Sequence, residues 1–307
     1  MNIPAPSGRQ HTLVRGSAHA VVAEVGASVR TYAVDGRDVV LPFTEDVLAP
    51  AFSGAVLLPW PNRLRDGQYA WDGTEHQVPV TEPDRGTALH GLVAQVRFAK
   101  VASTAGPDGD ESVTLRHDLV PTPGYPFPLR TDVTYTLTET GLRVEVTTTN
   151  LGAEAAPYAI GFHPWLSPGD AAVDECTLRI DAGAQVTVDE RLLPTGTVPL
   201  TGADDRRTPQ PMAGVALDDA FVDVDRDADG LAWIVLASPD GHASAVWMDS
   251  SMDTWQVCTG DGIPRIDRRG VAAEPMSAVA DALRTGERLV RLEPAATHTV
   301  TWGMALL

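Results

Sequence analysis

A chain of 307 residues with 43 % hydrophobic side chains carries enough apolar content for a sizeable core, which excludes a disordered protein. Acids outnumber bases 41 to 23, and the resulting formal charge of −18 argues against nucleic acid and anionic membrane surfaces as partners. The two cysteines, Cys176 and Cys258, fit neither a C-x-x-C metal or redox spacing nor a disulfide framework.

Taken in chain order, "MNIPAPSGRQHTLV" lacks the apolar region of a secretory signal, and no apolar run reaches the roughly 18 residues of a membrane span. The expectation is a soluble cytoplasmic protein, monomeric or homodimeric. In "LLPWPNRLRDGQYAWDG" two prolines flank Trp60, and Asn62 and Arg63 follow at a rigid turn. A guanidinium fork beside a carboxamide suits sugar hydroxyls or carboxylates, although a solvated surface cation fits as well. In "TALHGLV", His90 precedes a glycine that admits close approach of another group, and a satisfied core histidine is an equal reading.

Strict alternation follows. Val133, Tyr135 and Leu137, then Leu142, Val144 and Val146, alternate with polar residues on either side of an "ETG" turn and read as a hairpin. In "AIGFHPWLSPG", His163 stands before Pro164, which holds it in extended backbone and ends sheet pairing. It reads as the last residue of a strand. In "ALDDAFVD", Asp218 and Asp219 interrupt an apolar run, and one of the two must face inward on a strand, where its carboxylate needs partners.

"DRDADG" opens like a calcium loop, but its twelfth position is Leu236 instead of glutamate and no helices flank it, so an acidic turn is expected. No histidine spacing supports a metal centre, and "GDGIPRIDRRG" lacks the lysine of a phosphate loop, so neither metal nor cofactor is expected. "AWIVLASPDGHASAVWMDS" is a second hairpin, and "ATHTVTWGMALL" a final strand. Between them, "VAAEPMSAVADALRTG" places Glu274 after an apolar strand and before the one helix candidate, "PMSAVADALRTG". That setting is expected to desolvate the carboxyl and raise its pKa toward that of a general base. The sum is a single all-β domain spanning residues 1–307, a sandwich or Greek-key assembly with very little helix.

The motifs "NRLRDGQYAWDG", "ALHGLV", "GFHPW", "LDDAF" and "AAEPM", in this order, resemble the aldose 1-epimerase (galactose mutarotase) family over nearly the whole chain. The resemblance implies a large antiparallel supersandwich with a sugar cleft across one sheet, and a small-molecule aldose as partner. It implies His163 as general acid and Glu274 as general base, with Arg63, His90 and Asp218 on sugar hydroxyls. Asp218 is favoured over Asp219 because the family pattern is aspartate, two residues, then an aromatic, here Phe221. Asn62 joins the substrate contacts, and Trp165 or the more distant Trp255 is expected to offer the sugar an apolar face.

Converting one anomer to the other opens the ring at the anomeric carbon, rotates that carbon and closes the ring again. One group takes the proton of the anomeric hydroxyl while another gives one to the ring oxygen, so the acid and base are expected on opposite sides of the anomeric centre. The sequence departs from the family at Trp165, commonly tyrosine, and at Ala280-Asp281, usually proline-aspartate, which leaves the preferred sugar open. Three rivals stay in view. A glycoside hydrolase pairing Glu274 with Asp218 leaves His163 without a role; a carbohydrate-binding domain without turnover has the same contacts; a phosphorylated or sulfonated sugar would call on Arg63 and Arg65.

Overall fold

The computed structural model describes residues 5–106 and 109–307. Two large antiparallel sheets dominate. The nine-stranded sheet runs Ala99–Ala105, Glu111–Leu119, Leu129–Thr138, Gly141–Asn150, Thr297–Leu306, Ala243–Met248, Ala232–Ala237, Thr177–Ile180 and Gln210–Pro211. Both expected hairpins are in it: Val133 pairs with Val146 and Tyr135 with Val144, and every second residue of Leu129–Thr138 is buried. The second sheet takes Pro194–Pro199, Ala182–Val188, Asp218–Val224, Thr254–Cys258, Val271–Met276, Gly161–Phe162 and Val56–Leu57, in that order. A four-stranded N-terminal sheet, Gln10 to Asp38, flanks these two. The architecture is the all-β supersandwich expected from the motifs.

The core lies between the large sheets, and it aims the cleft. Phe162 sits inside against Trp302 of the nine-stranded sheet, ring centroids 4.9 Å apart and both rings fully buried. Successive side chains of extended backbone point to opposite faces, so the next residue, His163, turns outward. His163 is not a strand end. It lies in a two-residue gap between the short strands Gly161–Phe162 and Trp165–Leu166. Its amide donates to the Ala55 carbonyl (3.1 Å) and its carbonyl accepts from Gly54 (2.8 Å). Proline ends the ladder, and the neighbouring segment supplies the missing partners.

The helix expected over residues 275–286 is reduced to Ala282–Thr285. Pro275 and Met276 continue the strand Val271–Met276, where Pro275 lies opposite Trp255 and Met276 opposite Thr254. Sheet pairing thus outweighs the local helix signals. Asp281, at φ 64°, then breaks the chain direction just before the single turn. Its amide donates to the Arg63 carbonyl (2.6 Å) and its carboxylate accepts from the Arg65 amide (2.9 Å), stitching this turn to the strand Arg63–Arg65.

Gly91 fixes the other edge of the cleft. At φ +71°, a Cβ there would lie 2.1 Å from the Leu58 carbonyl oxygen, which accepts the Leu92 amide (2.7 Å). Gly91→Ala is therefore expected to cost at least about 1–3 kcal/mol, read as a lowered denaturant midpoint, with His90 displaced by the same movement. An unchanged midpoint would contradict this close packing.

Candidate active site

Strand register assembles one wall. Gln256 lies directly opposite Glu274, and Asp218 opposite Cys258. Because faces alternate along a strand, all four side chains share the outward face, while Trp255 and Val257 go to the core. The opposite wall is the segment Asn62–Arg63 with His90. Ala51 and Phe52, both at positive φ, carry the Phe52 ring over the edge. Together they enclose a cavity of about 220 Å³ that contains Asn62, Arg63, His90, His163, Trp165, Asp218 and Glu274.

At the centre, His163 Nε2 and Glu274 Oε1 stand 3.4 Å apart. The motifs lead to the expectation of an acid and a base on opposite sides of an anomeric centre, and in the structure the two groups stand side by side. Burial, and then the Asp218 charge, push the Glu274 carboxyl well above the usual carboxylate range, the direction expected from its sequence setting. The cause is the strand, whose residues Val271–Met276 are all buried, and not a following helix. Burial likewise lowers His163 to about 4, against a small opposing pull of its own carbonyl. Both shifts favour the uncharged form of each group, and at 3.4 Å a proton can pass between the two. Glu274 Oε2 is buried and has no hydrogen-bond partner among the described residues. A native buried oxygen left in this state is suited to accept or donate to a ligand hydroxyl.

Asn62 and His90 lock each other. The His90 amide donates to the Asn62 carbonyl (2.9 Å) and the Asn62 amide donates to His90 Nδ1 (3.2 Å). Nδ1 is therefore an acceptor, and the neutral ring carries its proton on Nε2. Burial, then the proximity of His163 and of Arg63, hold His90 well below the usual histidine range, consistent with that neutral form. The two imidazoles are edge to face, centroids 5.3 Å apart.

Arg63 is held by a residue the motifs did not single out. Its Nε and Nη2 donate to Glu82 Oε2 (2.9 Å) and Oε1 (3.2 Å), a bidentate pair. Its Nη1 lies 4.0 Å from Asp218, which in turn accepts from Gln256 Nε2 (2.8 Å). Asp219 faces away and accepts from Gln185 (2.7 Å), so of the two aspartates only Asp218 lines the cavity. Arg65 is drawn off to Asp189 and Asp281, each 3.5 Å away, and does not reach the cavity.

Of the two aromatic candidates, Trp165 lines the cavity and Trp255 does not. Trp255 is fully buried between the sheets, and Trp165 stacks on His163 at 5.6 Å and 20°, so its face backs the imidazole. Phe52, 4.7 Å from His90 and only half-buried, adds a further apolar surface to the cavity, beside Trp165 and Ile263. The acidic turn at Asp225–Gly230 is also accounted for: Asp227 accepts from the amides of Asp229 (2.9 Å) and Leu231 (3.0 Å) and from the Trp233 indole (2.8 Å). Among the described residues no helix is long and apolar enough to cross a membrane.

The fold and site together define a galactose mutarotase-like supersandwich. Among solved structures, a galactose mutarotase-like protein from Clostridium acetobutylicum has a TM-score of 0.87 at 15 % identity, covering 97 % of this chain and 98 % of that one. Galactose 1-epimerase from Lactobacillus acidophilus has a TM-score of 0.82 at 17 % identity, covering 97 % of this chain and 94 % of that one. The signature of aldose 1-epimerase matches residues 9–304, and the chain belongs to the aldose 1-epimerase family. It is 34 % identical over 294 residues to the uncharacterized protein YihR of Escherichia coli K12, covering 95 % of this chain and 91 % of YihR. Galactose mutarotase of Rattus norvegicus is 30 % identical over 195 residues, which is 56 % of this chain and 51 % of the rat protein.

Proposed function

We propose that the protein is an aldose 1-epimerase that interconverts the α and β anomers of an uncharged hexose such as glucose or galactose. The observation that carries this reading is the buried His163–Glu274 pair, 3.4 Å apart in a cavity of about 220 Å³. In the reacting complex Glu274, as carboxylate, takes the proton of the anomeric hydroxyl. His163 gives its Nε2 proton to the ring oxygen as the bond from that oxygen to the anomeric carbon breaks. The open aldehyde rotates, and closure from its other face returns both protons. Carboxylic acid with neutral imidazole, and carboxylate with imidazolium, contain the same number of protons, so the empty pair reaches the reactive form without exchange with solvent. His90 Nε2 and Arg63 Nη1 donate to ring hydroxyls, Asp218 and Asn62 complete the polar contacts, and Phe52 covers an apolar sugar face. Each proton transfer accounts for roughly 10²–10⁴ in rate, and no cofactor is called upon.

Charge supports a neutral substrate. Glu82 and Asp218 line the cavity, and Arg63, the single cation lining it among the described residues, is already engaged by Glu82. The hydrolase reading needs two carboxylates across one glycosidic bond, and here the group beside Glu274, 3.4 Å away, is an imidazole.

Polarimetry of freshly dissolved α-D-glucose and α-D-galactose tests the reading, with a methyl α-glycoside alongside. The expected result is a faster approach to anomeric equilibrium for at least one free sugar and no change in the glycoside, which lacks the anomeric hydroxyl proton. Hydrolysis of the glycoside, or acceleration confined to a hexose 6-phosphate, would contradict it.

A further inference from the structure

We propose that Glu82 is a positioning and charge-selecting residue: it cancels the charge of Arg63 and aims that side chain, so that the cavity offers a directed donor to an uncharged sugar and no docking point for an anion. The proposal rests on the aldose epimerase reading of the cavity. Glu82 occupies two of the three guanidinium nitrogens of Arg63, at 2.9 and 3.2 Å, and leaves only Nη1 toward the cavity. There the nearest acceptors are distant, Asn62 Oδ1 at 3.5 Å and Asp218 Oδ2 at 4.0 Å, so Nη1 has hydrogen-bonding capacity to spare.

Glu82 is itself fixed. The Thr87 hydroxyl donates to Oε2 (2.6 Å) and Arg85 Nε to Oε1 (3.2 Å). Its backbone exchanges hydrogen bonds with Thr87 across a tight loop, N to O at 2.9 Å and the return bond at 3.2 Å. Two arginines therefore share one carboxylate. Burial by itself would raise the Glu82 pKa, but the hydrogen bonds from Arg63 and Thr87 outweigh it and hold the group below its ordinary value. Glu82 is thus ionised at neutral pH. With it in place, an anionic substituent on the sugar meets Asp218 and a neutralised Arg63. Without it, the Arg63 guanidinium would face the site with only the more distant Asn62 and Asp218 as partners.

The test is a mutant cycle on purified full-length protein, with kcat and KM for the preferred neutral hexose and for its 6-phosphate. The proteins are wild type, Glu82→Gln, Arg63→Gln, the double variant and Thr87→Val. Glu82→Gln is expected to raise KM for the neutral sugar on the order of tenfold with a smaller change in kcat. It is also expected to narrow the preference for the neutral sugar over the phosphate by a comparable factor. In the Arg63→Gln background the same change is expected to be nearly silent, because Glu82 acts through Arg63. Thr87→Val loosens Glu82 without removing charge, and is expected to raise KM while leaving the neutral-to-anionic ratio as in wild type. Should Glu82→Gln fail to fold, Thr87→Val and Arg63→Gln with their combination give the positioning coupling, and Glu82→Met, uncharged and of similar length, gives the charge readout. Additive effects with an unchanged neutral-to-anionic ratio would overturn the proposal, leaving Glu82 a structural residue. A wild type that accelerates no aldose would instead overturn the epimerase reading and this inference with it.

Discussion

Replacing Glu274 by glutamine is expected to lower the rate of anomer interconversion by about 10²–10⁴-fold while leaving the fold intact. The carboxamide matches the shape of the protonated carboxyl but cannot take the anomeric proton. Relative to wild type, the same variant is expected to gain stability as pH rises. The folded pKa of Glu274 is raised, so its contribution to stability is full below the unfolded value of about 4.5 and is lost as pH climbs toward the folded value. Glutamine has no proton to lose, and the denaturant midpoint of the variant should exceed that of wild type by a margin that widens above pH 4.5. A variant that keeps its rate within a few-fold would remove Glu274 from the chemistry. A margin that widens toward acid would contradict its buried, protonated state.

His163→Asn carries an effect of similar size on the rate, for loss of the group that serves the ring oxygen. Its signature in stability has the opposite slope. Burial lowers the folded pKa of His163 to about 4 from 6.5, so stability is full above 6.5 and is lost as pH falls through the window between these values. By pH 4 this amounts to about 3 kcal/mol. His90 contributes with the same sign. In His163→Asn the acid-side loss should shrink, visible as a flatter dependence of midpoint on pH between 6.5 and 4. An unchanged slope would place the titrating group elsewhere. Acid inactivation of wild type is expected only as pH falls through about 4, where the folded His163 takes a proton, because a second proton on the pair leaves no base.

The two hairpins were legible because alternation reports a half-buried strand directly: Val133, Tyr135 and Leu137 all face the core. The order of the site motifs was legible too, and the structure brings Asn62, Arg63, His90, His163, Trp165, Asp218 and Glu274 around one cavity. What sequence order does not carry is distance across strands. The 3.4 Å between His163 and Glu274 arises because Trp165 pairs with Ala272 and Gly161 with Met276, placing both residues on adjacent chains of one sheet.

Glu82 was hidden because Glu-Pro recurs along the chain and nothing local marks a carboxylate that reaches back to Arg63. Gln256 is not titratable, and "TWQVC" shows only which residues alternate, leaving open that Gln256 stands opposite Glu274. Phe52 depends on two successive left-handed residues, a backbone state for which neither Ala51 nor Phe52 gives a signal. The helix expected from Pro275 onward failed for a related reason. Its start and stop residues were real, but Thr254–Cys258 offered the chain a strand partner, and long-range pairing prevailed over local preference.

The most direct test of the central claim is magnetisation exchange between the α and β anomeric proton signals of an unphosphorylated hexose already at anomeric equilibrium. No net reaction occurs there, so a hydrolase or a binding module has nothing to show, and only a catalyst of anomer interconversion transfers magnetisation between the two signals. An exchange rate that rises in proportion to protein concentration, and is lost in Glu274→Gln, is the expected result. Sugar binding, seen as line broadening, with exchange no faster than in buffer would contradict the account.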